Sequence, residues 1–77
     1  MKLYEIPRGS KMRIEFSDGF HSCTFHKLDG MYSYCTIDDY PEGYKAYPVF
    51  HLKATTPMIK VDDHYEIDEV TSPKGEK

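Results

Sequence analysis

The sequence predicts an all-β domain: a small, antiparallel, partly open barrel of the SH3-like or Sm-like kind, with five to six short strands. Three observations predict it. Residues 11–16 alternate polar and apolar side chains with a period of two. Clusters of Gly, Pro, Asp and Ser punctuate the chain at short intervals. No segment carries the 3.6-residue periodicity of an amphipathic helix. A chain of 77 residues makes one domain. Closing its sheet answers the problem of unpaired edges that so short a β protein faces. The expected domain covers residues 1–70, with a polar, Pro- and Gly-containing tail, expected to be disordered, from 71 to 77.

Taken in order, Leu3, Tyr4, Glu5 and Ile6 read as a short strand or extended arm, and Pro7-Arg8-Gly9-Ser10 as a turn. The alternating strand of residues 11–16 follows and ends at Ser17-Asp18-Gly19. Residues 20–28 and 31–37, rich in Phe, Thr, Tyr and Cys, form a hairpin around Asp29-Gly30, a strong type I′ signal. Residues 38–43 make a polar loop with room for a single helical turn at most. Strand character resumes from 44 to 54. Pro48 cannot donate a ladder hydrogen bond and so belongs on an edge or at a strand start. Residues 58–61 and 64–67 flank Asp62-Asp63 as a last hairpin.

The net charge of −3 gives no general argument for nucleic acid, but its distribution is uneven. Residues 2–27 carry five Lys or Arg and three acids, a net of +2, whereas residues 62–69 carry five acids and no Lys or Arg. The plain reading is two strands with solvated faces; the sharper one is a bipolar surface that orients a charged partner. No apolar run approaches the ~18 residues of a membrane helix. Met1 to Glu5 lacks the apolar core of a signal peptide. A cytoplasmic protein is the expectation, without a membrane partner.

Cys23 and Cys35 are expected to be free thiols. A two-residue Asp29-Gly30 turn sets Thr24 opposite Cys35 and Cys23 opposite Thr36, so the thiols point to opposite faces. A three-residue turn would pair them directly. His21, Cys23, His26 and Cys35 are zinc-type ligands, but their spacing matches no standard finger or ribbon, and the favoured register splits them two and two. Cys23 near His21, His26 and Asp18 has the elements of a cysteine nucleophile without an oxyanion hole. Asp38-Asp39 and Asp62-Asp63 lack the alternation of a calcium loop and read as turns. No cofactor, metal or catalytic residue is expected.

The aromatic content, seven Tyr and four Phe, is high for this length. The Asp29-Gly30 register sets Tyr34 opposite Phe25 and Tyr32 opposite Lys27, giving a face of Phe25, Lys27, Tyr32 and Tyr34. Tyr40, Tyr44 and Tyr47 crowd the next loop. A small barrel can use such tyrosines as half-buried packing units with wet hydroxyls. They also suit a protein-binding face, because tyrosine brings large contact area at low entropic cost. With Lys11, Arg13 and Lys27 the same rings could stack bases, so a nucleic-acid-binding barrel is the alternative. An oligomeric structural protein is the second.

Residues 24–35, together with the opening ten residues and the stretch 51–57, resemble small accessory proteins encoded by tailed bacteriophages. The resemblance covers about half the chain. It implies a protein made in the cytoplasm of the infected bacterium that acts by binding a host protein, and it assigns no residue a role. The sequence therefore points to a non-enzymatic protein-binding module, a modulator or inhibitor of a host bacterial protein, with Phe25, Lys27, Tyr32, Tyr34, Tyr40, Tyr44 and Tyr47 as partner-binding residues.

Overall fold

A computed structural model describes residues 1–39 and 48–68. Among them, β1 (Lys11–Phe16), β2 (Gly19–Asp29), β3 (Tyr32–Ile37), β4 (Val49–Phe50), β5 (Met58–Val61) and β6 (His64–Ile67) form one sheet in the order β4-β3-β2-β1-β6-β5. The sheet curls without closing, which is the small, partly open all-β fold the sequence predicts. It is mixed rather than wholly antiparallel, because β1 and β6 run parallel and pair only at Met12 and Tyr65. Beyond that pair a cleft of about 540 Å³ lies between Arg13, Ile14 and Phe16 on one side and Glu66 and Ile67 on the other.

The alternation of β1 does what it predicts. Met12 and Ile14 are buried while Lys11, Arg13 and Glu15 are exposed. The core consists of Leu3, Ile6, Met12, Ile14, Cys23, Phe25, Cys35, Ile37 and Met58, with Phe16, Phe50, Leu52, Tyr65 and Ile67 packed around it. Leu3–Glu5 is a 3₁₀ turn rather than a strand. The Lys2 amide donates to the Glu5 carboxylate at 2.7 Å, and the Leu3 and Tyr4 amides donate to the carbonyls of Thr56 and Ala54. A turn here lowers Leu3 and Ile6 onto the sheet as a plug. The last hairpin forms as expected, with Val61 opposite His64 and Asp62 in the left-handed region at φ 56°. Pro48 precedes β4 at the sheet edge, where its carbonyl accepts from the Ile37 amide. Between Val49–Phe50 and Met58–Val61, strand pairing of residues 51–57 is limited to isolated bridges at Lys53 and Pro57.

The central hairpin departs from the predicted register. Asp29 pairs with Tyr32, so the turn is Gly30-Met31 and not Asp29-Gly30. Gly30 alone in this turn has a positive φ, 66°, the pattern of a type II′ turn, which asks for glycine first and tolerates methionine second. A bulge then inserts His26 between Phe25, which faces Cys35, and Lys27, which faces Tyr34. Ahead of the bulge, Cys23 faces Ile37 and Thr24 faces Thr36. Cys23 and Cys35 therefore lie on the same face, both buried and unbridged, instead of on opposite faces. The bulge makes this possible: it switches the inward residues of β2 from Leu28 near the turn to Phe25 and Cys23 in the core.

The uneven charge is also resolved by topology. The parallel pairing sets acidic β6 beside basic β1, so the two segments are neighbours in one sheet rather than opposite poles. The expected tail, residues 71–77, lies outside the described residues.

Candidate functional site

Of the predicted binding residues, Phe25 is misplaced. It is 2% exposed and belongs to the core, because the bulge turns it inward. Lys27, Tyr32 and Tyr34 do share the outer face of the hairpin. Lys27 and Tyr34 are cross-strand partners, with the Lys27 Nζ 5.9 Å from the Tyr34 ring centre. Tyr40, Tyr44 and Tyr47 lie outside the described residues.

The structure adds neighbours that the sequence did not reveal. The His26 ring, pushed outward by the bulge, sits 5.5 Å from Tyr34, and the His51 ring sits 6.3 Å from it on the other side. His26 Nε2 meets the Thr36 hydroxyl at 2.7 Å, and His51 Nδ1 donates to the Ser33 carbonyl at 2.7 Å. Both imidazoles are thus held in place, and with Tyr34 they form a row of three rings across the outer face. Lys53 bridges to Tyr32 beside this row. Under it, the Ser33 hydroxyl donates to the Leu52 carbonyl and accepts from the Leu52 amide at 3.0 and 3.1 Å. That pair clips residues 51–53 to β3 and so positions His51 and Lys53. A bulge is a property of two strands together, so nothing local to His26 signals it.

The turn end of the hairpin is apolar and exposed. Met31 is 78% exposed, Tyr32 46% and Leu28 42%. Leu28 lies on the inner face opposite Ser33, Tyr32 on the outer face opposite Asp29, and Met31 at the tip, so the three wrap the end of β2 and β3.

The residues proposed for nucleic acid are engaged elsewhere. Lys11 donates to the Thr24 hydroxyl at 3.0 Å and pairs with Asp38 at 3.5 Å, while Thr24 itself donates to Asp38. The Arg13 guanidinium lies 4.3 Å over the Phe20 ring. Both stand on β1 next to the acidic strand β6, opposite Thr24 and Ser22 of β2, while Lys27 lies nearer the hairpin turn.

The remaining chemical candidates are held in structural roles. Burial, reinforced by the nearby Asp38 and Asp39 carboxylates, pushes the Cys23 thiol up to about 12, and burial raises Cys35 as well. Neither is a thiolate at neutral pH. The Cys23 thiol donates weakly to the His21 carbonyl at 3.4 Å, and Cys35 contacts the Ser33 hydroxyl. His21 shares the inner face with the two cysteines instead of completing a two-and-two split, but its ring nitrogens are 2.8 Å from carboxylate oxygens of Asp39 and Asp18. His26 is outside with Thr36. Among the described residues, no three His, Cys, Asp or Glu side chains converge as a metal site, and no helix is long and apolar enough to cross a membrane.

Comparison of the chain with protein-family models, with curated proteins and with solved structures finds no match.

Proposed function

We propose that this chain is a non-enzymatic protein-binding module that docks a partner through the end and outer face of the β2–β3 hairpin. The observation that carries the reading is the exposed apolar tip of Leu28, Met31 and Tyr32, continued along the outer face by Tyr34 and Lys27. Large side chains cost free energy to leave in water, and one methionine with two flanking apolar side chains on a stiff hairpin suits a contact surface. Methionine adapts to irregular partner surfaces, and tyrosine supplies rigid contact area. The buried thiols and the carboxylate-bound His21 add no reactive group to this surface, which supports a binding role over a catalytic one. The likeness to tailed-phage accessory proteins extends the proposal: the partner is a host protein met in the bacterial cytoplasm.

The test compares proteins captured from bacterial lysate by the wild-type chain, by Met31→Ser and by Tyr32→Ala/Tyr34→Ala. All three substitutions remove exposed or half-exposed side chains, and circular dichroism establishes that the fold is kept. The reading expects a specific partner that the wild type captures and both variants lose. Identical captured proteins in all three would overturn it. The row of His26, Tyr34 and His51 also offers ring faces to bases, so the second reading is single-strand binding. It requires salt-dependent retention on an oligonucleotide; absence of retention at ~50 mM salt removes it.

A further inference from the structure

We propose that Asp18, His21 and Asp39 form a pH-sensitive latch that fixes where the chain leaves β3. His21 stands on β2, Asp18 in the turn between β1 and β2, and Asp39 two residues past the end of β3. Nδ1 of His21 is 2.8 Å from an Asp39 oxygen, and Nε2 is 2.8 Å from an Asp18 oxygen. A carboxylate can only accept a hydrogen bond, and a neutral imidazole has one N–H. Two short contacts to two carboxylates therefore require the imidazolium. Loss of its proton leaves one ring lone pair aimed at a carboxylate, so one arm of the latch must let go.

The surroundings favour the closed form. The Phe16 ring packs edge-on against the imidazole at 5.5 Å, with Phe50 of β4 behind it. The second Asp39 oxygen accepts from the Ser22 amide at 3.2 Å. On β2 the Cys23 thiol donates to the His21 carbonyl at 3.4 Å. Among the described residues, Asp38 is the other carboxylate on this side, and it is tied to the Thr24 hydroxyl, to Lys11 and to the Ser22 carbonyl. The hydrogen bond to Asp39 and then that to Asp18 raise the His21 imidazole above its ordinary value, and His21 with the Ser22 amide lowers Asp39.

These directions bound the window. A raised histidine gives up its contribution as pH climbs through the raised value, and a lowered carboxylate gives up its own as pH falls through the lowered value. The latch is closed between them and opens above the upper limit. Asp38 keeps its own ties on opening, so release of the Asp39 arm leaves β3 in place.

The experiment is an NMR pH titration of the full chain that follows the His21 ring and the amides of Ser22 and Asp39. The latch requires a His21 midpoint above the ordinary ~6.5, with both amides shifting at that same midpoint in the wild type. Asp39→Asn and Asp18→Asn should each lower the midpoint, and the double variant should lower it further than either. Thr24→Val, which removes one tie of Asp38 instead, should leave the midpoint where it is. A wild-type midpoint at the ordinary value, amides that ignore it, or a midpoint insensitive to both Asp→Asn substitutions would each overturn the proposal.

Discussion

The register of the central hairpin can be tested by comparing two aromatic substitutions. If the His26 bulge turns Phe25 inward, Phe25→Ala empties the largest fully buried side chain among the described residues. Deleting a buried phenylalanine side chain costs about 3–5 kcal/mol, from lost transfer free energy and the cavity left behind. A domain of this size has a total stability on the order of 5–10 kcal/mol, so the variant loses a large part of it. In a domain of 60–100 residues each kcal/mol shifts Tm by roughly 4–8 °C, so Tm falls by at least ~12 °C. Tyr32→Ala removes a ring that is half in water and pairs across the strand with Asp29, and it should cost less than ~1 kcal/mol. Urea unfolding followed by circular dichroism measures both. Because Phe25→Ala could leave too little stability to fold, Phe25→Leu serves as a graded variant, with a loss of about 1–2 kcal/mol. Equal costs at positions 25 and 32 would refute the bulge. They would restore the register in which both rings share one outward face.

Three further outcomes follow from individual contacts. Ser33→Ala should cost about 1–3 kcal/mol in urea unfolding, because the Leu52 amide and carbonyl both lose the hydroxyl they use; a neutral effect would mean that the clip does not hold residues 51–53. Both thiols should react slowly with a disulfide reagent at pH 8 in the native protein and quickly in denaturant, since burial keeps them protonated; fast native reaction would contradict the packing. Hydrogen bonding to Glu66 raises His64, with Asp63 adding to the effect, so its contribution is complete below ~6.5 and is lost as pH rises through the raised value. His64→Ala should therefore flatten stability against pH above that point, and an unchanged profile would argue against the pair.

The sequence by itself determined the elements whose signals are local. The alternation of Lys11–Phe16 assigns inside and outside residue by residue, because adjacent strand side chains must point to opposite faces. Asp62-Asp63 and Ser17-Asp18 mark turns because short polar side chains tolerate and support tight backbone geometry. Pro48 marks an edge because it lacks the amide a central strand needs. Lys27, Tyr32 and Tyr34 were legible as sharing one face of the hairpin, though not that this face is the outer one, and Phe25 was wrongly grouped with them, since its direction depends on a bulge seen only when β2 is laid against β3.

Tertiary structure decided everything that joins distant segments. Asp29-Gly30 and Gly30-Met31 are both acceptable turns, and burial of Cys23, Phe25, Cys35 and Ile37 together is what accompanies the second with a bulge. The parallel contact of Met12 with Tyr65 brings acidic and basic segments together across some fifty residues of chain. The ring row of His26, Tyr34 and His51 and the carboxylates around His21 arise the same way. Local backbone preference chooses where strands begin and end. The choice between registers one residue apart belongs to the core, because each one-residue slip exchanges the buried and exposed faces of a strand.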